Sequence, residues 1–287
     1  CGSIDSDYLY SDELLSKLVV DICKNLFKLD LNKLIITYFD GGSIANIENI
    51  PSEKDKALFF AKYGIPERNI IGTKGLRNFV MNLQWGHAGT SYEIFYKTPK
   101  GLIEIASTNK YKFKIKELIK NGQNFYEIIP SNNWVFGTGF GLERLSMILN
   151  KKEDIFEIPE LDEITAYIVD NYLRTQKPLI KVDLEHIKQV VDGLRSALFI
   201  LNEGVIPTRN DSQGRVLKKL IKNVLEEINY LGAYDKSFEI FQNCFSIIKN
   251  QYSNFYNLET ENILKFLENY LKTVSLHKKY RHLIDAQ

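Results

Sequence analysis

Gly137-Thr138-Gly139-Phe140-Gly141-Leu142-Glu143-Arg144 sets three glycines at alternate positions, adds an arginine, and runs into the apolar stretch Leu145-Ser146-Met147-Ile148-Leu149. A strand with glycine at every second position has a face without side chains, so a flat, bulky ligand can lie against bare main chain. The helix that follows turns its N-terminus toward the same spot and carries Arg144 in its first turn, where the guanidinium can meet a phosphate or cover an aromatic ring. That combination suits a nucleotide. A glycine-rich bend between strand and helix is structural about as often as it is functional, but the flanking Trp134-Val135-Phe136 and Gly141-Leu142-Glu143-Arg144-Leu145 runs weigh toward a ligand.

Outward from that stretch, the chain has the make-up of a folded protein. Its 287 residues can bury one large core or two modest ones, and 44% apolar with 12% aromatic content is that of a globular fold. No run approaches the ~18 apolar residues needed to cross a bilayer, which predicts a soluble chain with no membrane partner. Lys+Arg 37 against Asp+Glu 36 gives a net charge of +1, so any RNA contact has to come from a local patch. Cys1, Cys23 and Cys244 are odd in number and His87, His186, His277 and His282 are scattered, without metal-ligand spacing. This predicts a cytoplasmic chain, with an organelle also open, carrying no disulfide framework, no zinc and no other bound metal. Met81 and Met147 are the only methionines, so Cys1-Gly2-Ser3 is either the lipid-bearing end of a lipoprotein or a stretch from inside a longer polypeptide; the second reading is favoured.

Ser11 is a good N-cap, Asp12 and Glu13 suit a first turn, and Leu14, Leu15, Leu18, Val19, Ile22 and Leu26 recur at helical spacing, which predicts an amphipathic helix. Residues 34–39 read as a strand stopped by Asp40-Gly41-Gly42. Pro51 in a first turn and Gly64 past a last one bracket a helix over about 52 to 63. Strands dominate residues 70–129, with a hairpin across Thr98-Pro99-Lys100-Gly101. Lys110, Lys112, Lys114 and Lys116 alternate with Tyr111, Phe113 and Ile115, as a solvated edge strand guarded by lysines would or, less favoured, a basic stripe touching RNA.

After Leu149 the period turns helical over residues 161–173, 184–201, 216–231, 238–248 and 263–280. In the last of these Ile263, Leu267, Tyr270, Leu271 and Val274 form the buried stripe, and Lys272, Lys278, Lys279 and Arg281 are expected to face solvent. The fold class is α+β, an antiparallel sheet with flanking helices over residues 1–150, followed by an all-α domain over residues 151–287.

The glycine-rich stretch from Gly137 to Arg144 resembles motif 3 of the class II aminoacyl-tRNA synthetases, most of all in its alanyl form. Ser91-Tyr92-Glu93-Ile94-Phe95-Tyr96, behind Gly86-His87-Ala88-Gly89, resembles the family's GPCGPxSEIxYD segment, and Tyr63-Gly64-Ile65-Pro66 with Glu67-Arg68-Asn69-Ile70 its GIPxERI turn. Asp192-Gly193-Leu194-Arg195, Asn202-Glu203-Gly204-Val205-Ile206-Pro207 and Gly214-Arg215-Val216-Leu217-Lys218-Lys219 resemble the DHIRAxxFxIADGVxPSNxxRGYVLRR stretch. The resemblance implies a class II synthetase-like sheet and a helical tRNA-recognition domain. It implies ATP-dependent activation of an amino acid, alanine foremost, and transfer to tRNA, alanine tRNA foremost, with Mg2+ arriving on the ATP and no zinc in this chain. It implies Arg144 and Glu93 as catalytic groups, ATP held by Gly139, Gly141, Arg144 and Glu93, and an amino-acid pocket of Val80, Gly137, Thr138 and Gly139. Arg209, Asn210, Arg215, Lys218 and Lys219, with Lys222, become the tRNA contacts.

Adenylate formation brings a carboxylate to the α-phosphate of ATP while pyrophosphate leaves, so two anions must meet and catalysis consists of positioning plus positive charge. Arg144 answers part of that need, and Glu93 could orient nucleotide or metal, the alternative being a solvent-facing strand residue. The family's motif 2 arginine lies before the segment that Gly2 to Ser11 resembles; it and the motif 1 helix are not expected here, and a second chain supplying those N-terminal motifs is one expectation. Gly137 stands where the alanyl form has an aspartate, and Asn78-Phe79-Val80 where it has NFW. Loss of a buried carboxylate paired to the substrate ammonium costs ~3 kcal/mol or more, which leaves another small amino acid open. His87 either assists the site or is a satisfied loop histidine. Pro207-Thr208-Arg209-Asn210 resembles the PSN turn with one extra residue, an ordinary helix-start turn being the rival. The readings are a ligase, whole or split; a paralogue for a different small amino acid; and a non-catalytic RNA-binding or assembly subunit.

Overall fold

Ser11 caps the first helix, its side chain accepting the Leu14 N–H while Asp12 and Glu13 fill the first turn. This is seen in a computed structural model that describes residues 2–5, 11–83, 85–120, 123–173, 181–210 and 212–284. The chain divides into two units, Cys1–Glu153 and Asp154–Gln287. The first holds β1 (Gly2–Asp5), α1 (Asp12–Asp21), β2 (Leu34–Ile44), β3 (Ile47–Ser52), α2 (Lys54–Ala57), α3 (Phe59–Lys62), β4 (Ile70–Thr73) and β5 (Phe79–Asn82). It continues with β6 (His87–Thr98), β7 (Gly101–Lys120), β8 (Gln123–Phe140) and α4 (Leu142–Leu149).

Among the described residues these strands form one sheet in the order β1-β8-β7-β6-β2-β3, with β4 beside β2 and β5 beside β6. All pairings are antiparallel except that of β2 with β4. The β6–β7 hairpin closes with Thr98 opposite Gly101, and Gly101 at φ 132° adopts a conformation that a side chain would resist. Alternation sends Leu34, Ile36, Tyr92 and Ile94 to one face, where they pack with Val19 and Val20 of α1 and Phe60 of α3. The opposite face carries Thr37, Glu93 and Ser107, each partly exposed.

Three local expectations change. Asp40-Gly41-Gly42 does not stop β2; the two glycines, at φ 74° and 142°, carry the strand through an irregularity in its pairing with β3. Pro51 lies in β3 rather than in a helix, on an edge strand where a missing N–H breaks no ladder, and the helix expected after it is two single turns, α2 and α3.

The lysine strand is also not an edge: β7 lies between β6 and β8. Lys110 is buried against Asp12 and Glu53, and Lys112 pairs with Glu53, while Lys114 and Lys116 are exposed. A register irregularity between Tyr111 and Phe113 breaks the simple alternation on which the solvated-strand reading rests.

The second unit is helical. α5 (Pro159–Ile168) continues into a π turn over Val169–Leu173, followed by α6 (Lys181–Asn202), α7 (Ser212–Tyr230), α8 (Ser237–Tyr252) and α9 (Thr260–Ile284). α6 and α7 approach closely at Gly193, where a Cβ would stand 2.3 Å from Cγ2 of Val224. In α9 Ile263, Leu267 and Leu271 are buried and Tyr270 half-buried, while Lys272 pairs with Glu268. The side chains of Val274, Lys278, Lys279 and Arg281 lie outside the described residues.

Candidate active site

Register across four strands aligns a row of residues: Thr37 of β2 faces Glu93 of β6, Glu93 faces Ser107 of β7, and Ser107 faces Gly139 of β8. Directly opposed residues share a face, and this is the face not covered by α1 and α3. A second row on the same face runs Ser91, Asn109 and Gly137, and a third Val80, Gly89, Tyr111 and Val135. The sheet thus brings together Glu93, Gly139, Gly137 and Val80, which lie far apart in the chain. Thr138 departs from the expected pocket: alternation turns its side chain to the opposite face, where its hydroxyl lies 3.3 Å from that of Thr108. Only its main chain remains available to the rows.

β8 gives way to α4 at Gly141, whose N–H donates to the Ile105 carbonyl at 2.9 Å and ties the junction to β7. Arg144 lies one turn in. Its stem passes over Gly141, with Cδ 3.4 Å from where a Cβ would stand. Its Nη1 donates to the Glu104 carbonyl at 2.9 Å and sits 3.6 Å from the Glu104 carboxylate, the two side chains being 49% and 40% exposed. The guanidinium is anchored yet open to solvent on one side.

Burial and then the charge of Glu104 push the Glu93 carboxyl above the usual carboxylate range, while Arg77 and the Thr37 hydroxyl pull it down. A carboxyl raised by an acidic neighbour in this way is relieved by an added cation. Among the described residues no group of three or more His, Cys, Asp or Glu gathers as a metal cage, so a cation beside Glu93 would need further oxygens from its ligand, as the Mg2+ of a bound nucleotide has. The residues fit such a ligand in two further respects. A Cβ at Gly137 would meet only Cε2 of Tyr111, at 4.0 Å, which leaves room over the bare strand. Ser91, 1% exposed, has a buried hydroxyl with no hydrogen-bond partner.

Asn109 accepts from the Ser107 hydroxyl at 3.2 Å. Asn78 is buried and donates to the carbonyls of Thr37 and Ser91 at 3.4 and 3.3 Å, pinning the approach to β5 against the first two rows. Ser91, Ser107, Asn109, Glu104, Arg77 and Asn78 were not singled out as site residues from sequence. The polar residues Ser107 and Asn109, alternating within an apolar strand, were the signal available. His87 lies at the far end of the face, opposite Asn82 and Lys114 and 6.2 Å from the Tyr111 ring.

In the second unit Arg209 and Asn210 are exposed on the segment between α6 and α7. Thr208 organises that turn: its N–H donates to the Gly214 carbonyl at 3.2 Å, and its hydroxyl accepts the Asn210 N–H at 3.2 Å. Arg215, Lys218, Lys219 and Lys222 recur at i, i+3, i+4 and i+7 along α7 and so share one side of the helix. Lys222 pairs with Glu226 at 3.1 Å.

Comparison with known proteins gives a consistent result. A family model described as "tRNA synthetases class II (A)" matches residues 7–280. The chain is similar to the alanine--tRNA ligase of Renibacterium salmoninarum, 28% identical over 259 residues that cover 81% of this chain and 28% of that protein. It is similar to that of Mycoplasma mobile, 27% identical over 277 residues, covering 88% and 28%, and to that of Mycoplasma capricolum, 28% identical over 245 residues, covering 77% and 25%. The chain therefore spans little more than a quarter of the length of these relatives.

Proposed function

The chain belongs to the class II tRNA synthetases, and we propose from that premise that it activates a small amino acid, alanine foremost, as its adenylate on the open face of the sheet. The observation that carries this reading is the row Thr37, Glu93, Ser107 and Gly139, flanked by Arg144 at the β8–α4 junction. The nucleotide lies over Gly139, where main chain is bare, and reaches Gly141 beside the stem of Arg144. Arg144 meets its phosphates, and Glu93 orients the nucleotide and the cation that accompanies it. Mg2+ bound with ATP supplies added positive charge as pyrophosphate leaves. Reacting groups fixed by a rigid sheet need little reorganisation, which is where the rate advantage arises.

The amino acid lies over Gly137, against Val80 and Tyr111. The polar groups nearest Gly137 in register, Ser91 and Asn109, are neutral, and this favours a second reading in which a small amino acid other than alanine is preferred. In the helical unit, Arg209, Asn210, Arg215, Lys218 and Lys219 receive a tRNA acceptor end, with cations on phosphates and Asn210 at a base edge. The buried free thiols of Cys23 and Cys244 support a reducing, cytoplasmic setting.

ATP–pyrophosphate exchange with a panel of amino acids tests the assignment. The expected outcome for this chain by itself is weak exchange at most, driven by one small amino acid and lost in Arg144→Ala. If ATP binds and no amino acid drives exchange, the chain is a non-catalytic member of its family.

A further inference from the structure

Arg77 lies in the short turn Gly75–Asn78 that leads into β5. The next residue fixes its place: Asn78 is buried, donates to the Thr37 and Ser91 carbonyls, and accepts from the Thr73 hydroxyl, after which Phe79 enters register with Thr90. The main chain at Arg77 is thus held beside β2 and β6, where Thr37, Glu93 and Ser91 share the face not covered by α1 and α3. Arg77 itself is exposed, and its charge acts on the Glu93 carboxyl. Among the described residues it makes no hydrogen bond or ion pair. Arg144, by contrast, is partly occupied by Glu104.

An arginine on a surface is commonly just solvated. Three features distinguish this one. Its turn is anchored by a buried carboxamide, it flanks a carboxylate in a row of aligned residues, and the neighbouring Ser91 hydroxyl is buried without a partner on the same face. At ~4.8 Å per strand, β2 and β8 lie about 14 Å apart, so Arg77 and Arg144 flank Glu93 across a span that a nucleotide with its phosphates can cover. A reaction that joins two anions gains from a cation on each side, and a guanidinium presents two parallel donors to a carboxylate or phosphate.

We propose that Arg77 is the second cation of this site, its guanidinium taking an oxyanion of the bound reactants, a phosphate oxygen or the amino-acid carboxylate, from the β2 side while Arg144 acts from the β8 side. The proposal rests on the reading of this face as the activation site.

Calorimetric binding of ATP, AMP and alanine to the full chain tests it in Arg77→Ala and Arg77→Lys, with Arg144→Ala as reference. Arg77→Ala is expected to weaken at least one ligand roughly tenfold or more, and Arg77→Lys to recover part of the loss. The thermal midpoint should stay within about 2 °C of the parent in both. A loss confined to ATP and AMP assigns the oxyanion to phosphate, and one confined to alanine assigns it to the carboxylate. Unchanged affinity for all three ligands in Arg77→Ala overturns the proposal. So does a loss that lysine does not relieve and that a lowered midpoint accompanies. If Arg144→Ala also leaves ATP binding intact, the nucleotide reading of the face has failed, independently of Arg77.

Discussion

Arg144 donates from Nη1 to the main-chain oxygen of Glu104 at 2.9 Å and lies 3.6 Å from the carboxylate of the same residue. Glu104 also raises the carboxyl of Glu93, so one acid connects the cation at the helix start with the acid in the middle of the row. On the proposed reading, phosphates arriving over Gly139 would compete with Glu104 for the guanidinium, and a cation arriving with them would offset the charge of the two acids. Arg144→Ala is expected to weaken ATP binding about tenfold or more. Because the pair is half exposed, stability should change by no more than about 0.5 kcal/mol. Calorimetry with ATP and a denaturant titration separate the two effects.

Removing the charge of Glu104 should lower the Glu93 titration midpoint. Burial is the larger cause of its elevation above 4.5 and remains; repulsion by Glu104 is the next and disappears in Glu104→Gln. The sign follows from the raised folded value. The neutral carboxyl is the form that folding favours, so its contribution is complete below 4.5 and is lost as pH rises through the folded midpoint. On the proposed reading Mg-ATP binding uses the Glu93 carboxylate, and its affinity should rise through the same interval. Carboxyl-carbon NMR on parent and variant gives both midpoints, and an unmoved Glu93 would show that Glu104 does not act on it.

On the helix-covered face Lys110 Nζ lies 2.5 Å from Oε2 of Glu53 and 2.5 Å from Oδ1 of Asp12, and donates to the Tyr92 hydroxyl at 3.0 Å. Lys112 reaches the other oxygen of Glu53 at 2.7 Å. Lys110 and Glu53 are 1% and 3% exposed. Burial by itself raises the Glu53 carboxyl, but the charges of Lys110 and Lys112, and the hydrogen bonds from both, hold it at about 2. Lys110→Met leaves carboxylates buried without their main partner and should destabilise the fold by ~3 kcal/mol or more; adding Glu53→Gln should recover part of that loss. In the parent, the Glu53 contribution is fully present above 4.5 and is lost as pH falls toward about 2. Urea unfolding at pH 7 and pH 3 measures both effects.

In the helical unit, Arg215→Ala with Lys219→Ala should weaken alanine-tRNA binding and flatten its dependence on log salt by roughly 1.4 to 1.8, the equivalent of two phosphate contacts. Gel shifts at two or more salt concentrations give the slope. Unchanged affinity and slope would remove this side of α7 from the RNA surface.

Local features were legible in the sequence. Ser11 caps α1, Pro99-Lys100 turns the hairpin, and the glycine alternation places Gly137 and Gly139 on one face. Period two alone also implies that Thr138 turns away, although its neighbours made it look like part of the pocket. What escaped depends on partners distant in the chain. Lys110 reads as a solvated lysine until Glu53 and Asp12, 57 and 98 residues away, are brought beneath it. Pro51 reads as a helix start because nothing local says that an edge strand continues through it. Arg77 carries no motif of its own, Asn78 reads only as the start of an NFW-like match, and the significance of both appears only when β2 and β6 lie beside them.

The most direct test of the account is a crystal structure of the chain with ATP bound. It predicts the nucleotide on the open face, its ring or phosphates over Gly139 and Gly141, with the Arg144 guanidinium on a phosphate and Glu93 beside the accompanying cation. Nucleotide bound elsewhere, with Arg144 still held only by Glu104, would contradict it.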